Sequence, residues 1–313
     1  MDKKRGLLLL NMGGINSIDE VELFLKNMFS DKNILPMNSY LRKLIAYIII
    51  TNRLEDVKAN YKLFGGKSPL TELTQKLIDK LSAKLDMSID MAMRYTPPFA
   101  KDALIKMQKD NIKDITLFPM YPQYSTTTTL SSVEDIEEIL EELDYHPKIT
   151  LIDEYYDNIK YLEMVYNKIK DAIKEKNSKE YDLILSAHGL PMSIIKNGDP
   201  YEKQIEANSS AIKTFLHFKG LEFNDIKLVY QSKVGSSAWL TPSLNHTLRN
   251  PTNQKVLIYP LAFTIDNAET IFELDIESRE IVEKIGYDDF IVASCFNDDD
   301  DFVDFIIEQI KTI

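Results

Sequence analysis

The sequence predicts an α/β protein with two doubly wound parallel sheets, one in each of two similar domains with a cleft between them. Three observations support this fold class. Short apolar runs recur along the chain, helical patterns lie between them, and the runs divide four and four around residues 155–180. The chain has 313 residues, and a typical domain has about 150. We therefore expect domains at 1–155 and 156–313.

The predicted strands are continuous apolar segments rich in β-branched residues, which is typical of strands buried on both faces of a parallel sheet. In the first domain they are 6–12, 89–95, 115–121 and 148–153, and in the second 181–187, 226–232, 255–263 and 290–296.

Helical segments separate these strands. Residues 68–85 place leucines at three- and four-residue steps, the spacing of one helix face. Similar patterns predict helices at 18–29, 39–51, 99–110, 131–143, 159–175, 202–219, 267–285 and 301–312. The charged segment 157–178 is expected to link the domains as a long helix. We also expect that the last helix, 301–312, can pack back on the first domain.

Composition excludes several function classes. The net charge of −12 and the absence of a basic cluster argue against a nucleic-acid partner. The single cysteine, Cys295, excludes internal disulfides and a four-thiolate iron–sulfur cluster. The apolar run 44–50 is far shorter than the roughly 20 residues of a spanning helix. We expect a cytoplasmic protein, and contact with a membrane surface through the apolar helix 39–51 stays open.

Ligands of open parallel sheets bind outside the carboxyl ends of the strands, so the informative residues are those that follow each strand. Polar or glycine-rich segments stand there: Asn11–Gly14, Arg94–Tyr95, Tyr121–Thr129, Ser186–Pro191, Gln231–Ser237 and Thr264–Glu269.

His188 is the first candidate for chemistry. It ends an apolar strand and precedes Gly189 and Pro191, which shape a turn. Imidazole is the side chain best suited to accept a proton near neutral pH. The alternative is a buried histidine bonded to backbone. His146, His217 and His246 lie in linker or helical contexts, and we expect no catalytic role for them.

A row of glutamates follows the seventh predicted strand. Asp266 is the expected N-cap, with Glu269 three residues later completing a capping box. Glu273 and Glu277 follow at steps of four. Periodicity alone favours a solvated helix face. The alternative is a carboxylate row that passes protons or a hydrated cation.

The hydroxyl-rich segment 121–132 precedes a predicted helix. Ser131 and Glu134 are expected to form a capping box there. A site for a phosphate or carboxylate is the alternative. Neither "GGKSPL" at 65–70 nor "NMGG" at 11–14 completes a nucleotide-binding motif.

Taken together, the strand ends resemble ferrochelatase, the enzyme family that inserts Fe²⁺ into a porphyrin to make haem. The matching segments follow the family's order and cover most of the chain. They are "LLLLNMGG", "FLKNMFSD", "FGGKSPL", "MRYTPP", "FPMYPQYSTTTT", "LILSAHGLP", "VYQSKVG" and "DNAETIFELD". The pairing of "SAHGLP" with "ETIFELD" is the most specific part of the match.

The resemblance implies two Rossmann-like domains that grip protoporphyrin IX in the cleft between them. It assigns the catalytic and metal-contacting roles to His188 and Glu269, and an acidic relay to Glu273 and Glu277. It also implies a π-type turn in the helix that carries these glutamates. The residues implied to line the porphyrin pocket are Met12, Arg94, Tyr95, Tyr121, Ser125 and Thr126.

Ile15 and Asn267 depart from the family pattern, in which proline and histidine are common at these positions. Fe(II) is implied as a substrate, with no required cofactor and no iron–sulfur cluster, and we expect a monomer. Three alternatives stay open: a cobalt or nickel chelatase of a sirohydrochlorin-type ring, a non-catalytic tetrapyrrole or haem carrier, and a phosphate- or nucleotide-binding α/β protein.

Overall fold

A computed structural model describes residues 5–233 and 237–312. The chain forms two compact units, Met1–Glu154 together with Asp298–Ile313, and Tyr155–Asn297. Each unit contains one four-stranded sheet in which all paired strands are parallel. Helices connect the strands in both units. The predicted α/β class with two parallel sheets is confirmed.

The sheet of the first unit has the strand order β2-β1-β3-β4. Its strands are β1 Arg5–Asn11, β2 Ser88–Met93, β3 Asp114–Pro119 and β4 Lys148–Leu151. β1 pairs with β2 on one side and β3 on the other. Helices cover both faces of such a central strand, and this explains why the four leucines 7–10 are 0% exposed.

The helices of this unit include α1 Val21–Ser30, α2 Ser39–Lys62, α3 Leu70–Lys84, α4 Ala100–Lys109 and α5 Ser131–Glu142. α2 continues well beyond the predicted end at residue 51, because no glycine or proline occurs before Gly65. Ala46, Ile50 and Tyr61 are its buried residues. A π-helical turn, Thr126–Leu130, leads into α5.

The second unit repeats the topology of the first, with the order β6-β5-β7-β8. Its strands are β5 Asp182–His188, β6 Asp225–Gln231, β7 Lys255–Pro260 and β8 Asp289–Val292. Its helices are α6 Ile159–Ile173, α7 Met192–Lys196, α8 Tyr201–Phe218, α9 Leu244–Arg249, α10 Ala268–Ile271 and α11 Ser278–Ile285. A π-helical segment, Phe272–Glu277, joins α10 to α11.

Several predicted boundaries differ from the observed ones. The predicted strand 290–296 ends at Val292, although Ala293, Cys295 and Phe296 remain buried beyond it. Apolar runs report burial, whereas a strand ends where its hydrogen-bonded ladder ends. The helix predicted at 157–178 ends at Ile173, and Lys174 then adopts a left-handed φ of 49°. The short helices α7 and α9 have too few residues for a periodic signal.

The C-terminal helix, α12 Asp300–Thr312, belongs to the first unit. It packs against α3, where Lys80 pairs with Asp300 at 3.1 Å and Lys84 with Asp304 at 2.8 Å. Its buried face includes Phe302 and Phe305. No helix in the described ranges is both long and apolar enough to cross a membrane.

Candidate active site

His188 is the last residue of β5, at the carboxyl edge of the second sheet. The turn that follows it is tied to the neighbouring strand, because the Gly189 N–H donates to the Gln231 carbonyl at 2.9 Å. A Cβ at Gly189 would lie 2.7 Å from that oxygen, so the close approach requires glycine. The Tyr201 hydroxyl donates to the His188 carbonyl at 3.0 Å. These bonds fix the backbone from which the imidazole projects.

The structure brings His188 and Glu269 together across 81 residues of chain, with 2.8 Å between Nδ1 and Oε2. The imidazole is 37% exposed and the carboxylate 30%. Burial lowers the pKa of His188, but the charge and hydrogen bond of Glu269, with the charge of Glu273, leave that pKa raised overall. Burial raises the pKa of Glu269, but His188, Ser232 and Gln231 leave it lowered overall. Both directions stabilise the charged forms, so a proton that the neutral imidazole accepts is held as an imidazolium beside the Glu269 carboxylate.

The helix that carries Glu269 begins one residue later than predicted. Asn267 is the N-cap: its side-chain oxygen accepts from the Glu269 N–H at 2.8 Å, and the Thr270 hydroxyl completes the capping box by accepting from the Asn267 N–H at 3.0 Å. The predicted box of Asp266 and Glu269 is therefore wrong. Asp266 instead accepts from the Cys295 N–H and the Asn297 amide. Because Thr270 closes the box, the Glu269 carboxylate is left to reach His188.

Ser232 joins the two nearer glutamates. Its hydroxyl lies 3.1 Å from Oε2 of Glu269 and 2.6 Å from Oε2 of Glu273. The Gln231 amide also donates to Glu269, at 3.2 Å. Ser232 has a φ of 65°, a left-handed conformation that is uncommon outside glycine, asparagine and aspartate. Sequence reasoning did not select Ser232 or Gln231 individually, although it marked the strand end that holds them.

Glu273 and Glu277 lie in the π-helical segment, as the resemblance implied. Burial, with the charge of Glu269, raises the pKa of Glu273 to about 7. Burial also raises the pKa of Glu277, against the lowering effect of Arg249. The solvated-face interpretation is wrong for Glu269 and Glu273, since His188 contacts Glu269 and Ser232 contacts both glutamates. Periodicity failed here because it assumed an uninterrupted α-helix.

Few side chains of the types that bind metal ions lie close together in the described residues. No group of three or more His, Cys, Asp or Glu side chains in those ranges converges closely enough to hold a metal ion. His188 and Glu269 supply one nitrogen and one carboxylate at the carboxyl edge of the second sheet. Burial raises the pKa of the Cys295 thiol well above its usual value, which opposes thiolate chemistry at that residue.

The predicted porphyrin-lining residues all follow strands of the first sheet. Met12 follows β1, and its carbonyl accepts from the Tyr95 N–H at 2.9 Å. Tyr95 is 0% exposed and Tyr121 is 9% exposed. Ser125 is buried and caps the π-helical turn by accepting from the Thr127 N–H at 3.1 Å, and Thr126 is half-buried.

Arg94 follows β2 and contacts acidic and hydroxyl groups. Its Nε donates to the carbonyl and hydroxyl oxygens of Ser131, at 3.2 and 3.0 Å. Its other nitrogens lie 3.4 Å from Asp31 and 3.1 Å from Asp135. The predicted capping box of Ser131 and Glu134 is wrong, because Ser131 already has helical backbone angles and its hydroxyl donates to Asp31. Glu134 instead accepts from the Asn33 amide at 2.6 Å.

Comparisons with known proteins show what this chain is similar to. The family model described as Ferrochelatase matches residues 4–312. A ferrochelatase of Campylobacter concisus is 46% identical over 312 residues, and one of Wolinella succinogenes is 47% identical over 311 residues, with 98% of both chains covered in each case.

Among solved structures, the sirohydrochlorin chelatase SirB of Bacillus subtilis subspecies spizizenii, in complex with cobalt, aligns with a TM-score of 0.59. That alignment covers 98% of this chain and 94% of SirB at 8% identity, so it shows similarity of fold alone.

Proposed function

This chain belongs to the ferrochelatase family, and from that membership we propose that it inserts Fe(II) into protoporphyrin IX to form protohaem, the last step of haem biosynthesis. The predicted family and the predicted enzyme class, a lyase that inserts a metal into a porphyrin, are confirmed. The observation that carries the mechanism is the 2.8 Å contact between His188 and Glu269.

His188 is the pyrrole proton acceptor in this mechanism. A free-base porphyrin carries two N–H protons that must leave before a metal ion can bind all four nitrogens. Nδ1 of His188 contacts Glu269, so Nε2 is the nitrogen that takes the pyrrole proton. The carboxylate stabilises the imidazolium that forms, which makes the neutral imidazole a stronger base.

Glu269 and Glu273 assist deprotonation and metal delivery. Carboxylate oxygens replace water around a divalent cation without binding it as tightly as thiolates do. Glu273 has a pKa of about 7, so it can both take up and release a proton near neutral pH. Its contact with Ser232, which also contacts Glu269, supports a relay that continues to Glu277.

We propose that Fe(II) enters as a substrate and that the reaction needs no resident cofactor and no iron–sulfur cluster. The chemistry of proton removal and metal transfer requires no redox step. The only cysteine, Cys295, is buried with a raised pKa, which supports this proposal.

The alternatives receive less support. The curated relatives at 46% and 47% identity are named ferrochelatases, whereas the likeness to a sirohydrochlorin chelatase extends to the fold alone. A tetrapyrrole carrier would not need a histidine–glutamate pair coupled to a second glutamate of raised pKa. Nucleotide binding has no motif to support it.

We also propose a cytoplasmic monomer that touches the inner face of the membrane through α2. Its exposed residues Tyr40, Leu44 and Tyr47 are 84%, 51% and 69% accessible and are spaced along one stripe. No acidic residue occurs between Asp31 and Glu55, whereas the exposed Lys43 lies beside the stripe. Such a combination favours anionic lipid surfaces.

The proposed activity is tested by anaerobic incubation of the full chain with protoporphyrin IX and Fe²⁺ or Zn²⁺, followed by absorbance. We expect the free-base bands to be replaced by those of the metalloporphyrin, at a rate proportional to enzyme concentration. Porphyrin binding without metal insertion would overturn the proposed function in favour of a carrier.

A further inference from the structure

Arg94 is fully engaged by groups of its own unit. It follows β2 at the carboxyl edge of the first sheet, the edge at which α/β sheets bind ligands. Each guanidinium nitrogen has a partner: Nε contacts Ser131, NH2 lies 3.4 Å from Asp31, and NH1 lies 3.1 Å from Asp135. A substrate carboxylate could bind this guanidinium fully only by displacing one of these partners.

Asp31 cannot be displaced without a large cost. Its side chain is 2% exposed, and it accepts from the Asn33 N–H at 2.7 Å, from the Tyr95 hydroxyl at 2.8 Å and from the Ser131 hydroxyl. A buried carboxylate that lost its cation would remain as an uncompensated charge in a poorly solvated place. Arg94 and Asp31 therefore stay together when a ligand binds.

Asp135 is the more accessible partner. Its side chain is 23% exposed, and that of Arg94 is 24% exposed. One guanidinium thus stands between two carboxylates, so the local charge is negative rather than positive. An approaching substrate carboxylate would meet Asp135 as a like charge, and juxtaposed like charges discriminate strongly against a wrong partner.

We propose that Asp31 and Asp135 neutralise Arg94, so that this edge of the first sheet accepts an uncharged ring substituent of the porphyrin and rejects a carboxylate. Asp135 then makes the protein select porphyrins with two carboxylates over those with four. This inference rests on the proposed function, because it assumes a porphyrin at the carboxyl edge of the sheet.

Equilibrium binding of the full chain to protoporphyrin IX and to coproporphyrin III, measured by fluorescence without metal, tests the proposal. The wild-type protein should bind the two-carboxylate porphyrin at least as tightly as the four-carboxylate one. Asp135→Asn should shift the ratio of dissociation constants toward coproporphyrin by about tenfold. Asp135→Ser should shift it in the same direction, and thermal unfolding checks that both variants fold.

The matched control is Glu137→Gln, which removes the same charge from an exposed position of the same helix, α5. It should leave the ratio within about twofold. The proposal is overturned if Asp135→Asn and Glu137→Gln give the same ratio, or if the wild-type protein prefers coproporphyrin. Because binding is measured without iron, failure of metal insertion and failure of this selectivity are separate outcomes.

Discussion

At the scale of single residues, the proposed catalysis depends on His188, Glu269 and Glu273. Glu269 raises the basicity of the imidazole, and Glu273 is poised by burial and by Glu269 to exchange protons near neutral pH. His188 can therefore accept a proton, and Glu273 can carry a proton away. These roles are different because the two glutamates have opposite pKa shifts.

The raised pKa of His188 predicts the direction of the pH dependence. Below that pKa the imidazole already holds a proton and cannot accept one, so turnover should fall as the pH is lowered through a value above 6.5, the ordinary pKa of histidine. Glu269→Gln removes the charge that raises this pKa. We expect the acid limb of kcat to move to lower pH, with kcat itself reduced about tenfold.

The measurement is kcat for zinc insertion across the pH range, with thermal unfolding of the variant as the folding control. An acid limb that stays at the same pH in Glu269→Gln would contradict the assignment of that limb to His188.

Ser232 gives a second prediction at this scale. Ser232→Ala removes the hydroxyl that contacts both glutamates, and we expect kcat to fall about fivefold with little change in the KM for porphyrin. Ser232→Gly also removes the hydroxyl but relieves the left-handed backbone by about 1 kcal/mol. Steady-state kinetics of both variants test this, with urea unfolding as the stability measurement. Equal activity of Ser232→Ala and the wild-type protein would exclude a catalytic role for the hydroxyl that contacts both glutamates.

At the scale of elements, the N-terminus of α10 positions Glu269. The Asn267 cap holds the Glu269 and Thr270 amides, and the π-helical segment follows at once. A shift of the helix start by one residue would rotate Glu269 away from His188. The departure from the family pattern at Asn267 is therefore compatible with function, because asparagine is among the best N-cap residues.

Asn267→Ala should lower the free energy of unfolding by about 1 kcal/mol, and it should also reduce turnover because Glu269 loses its fixed position. Asn267→Asp keeps a capping oxygen and should restore both quantities. Urea denaturation and zinc-insertion assays measure them. Full stability in Asn267→Ala would show that Asn267 is not the effective cap.

The exposed stripe of α2 gives a prediction that is separate from catalysis. The double variant Leu44→Ser and Tyr47→Ser should reduce cosedimentation with vesicles containing anionic lipid about tenfold, because it removes exposed apolar area from the proposed contact. Phe218→Ser is the matched control, since Phe218 is 81% exposed on the second unit. Equal loss in the control, or no loss in the α2 variant, would refute the proposed membrane contact.

At the scale of the whole molecule, the sequence predicts the α/β class and the eight strands described above. Each strand is a short apolar run, and these runs alternate with helical patterns along the chain. The shared strand order of the two sheets did not follow from those runs. The strand order depends on which strands become neighbours in the folded sheet, and apolar periodicity contains no information about those neighbours. The extension of α2 was missed because its second half is polar and solvated.

The candidate site was predictable only in part. His188 and Glu269 were selected at strand ends, but their contact joins residues 81 positions apart, which only the folded chain reveals. The two capping boxes failed because Thr270 and Ser125 offered better local hydrogen bonds than the residues chosen by motif. Ser232 was marked only as part of the segment Gln231–Ser237, since its role depends on a backbone conformation and on two glutamates from another element.

The role of His188 as the proton acceptor is tested most directly by zinc insertion into protoporphyrin IX by His188→Ala, compared with His246→Ala, which replaces a histidine on α9. We expect His188→Ala to bind porphyrin but to lose at least about 100-fold in turnover, the effect of removing a general base, while His246→Ala keeps wild-type turnover. Near-normal turnover in a folded His188→Ala protein would contradict the assignment of His188 as the proton acceptor.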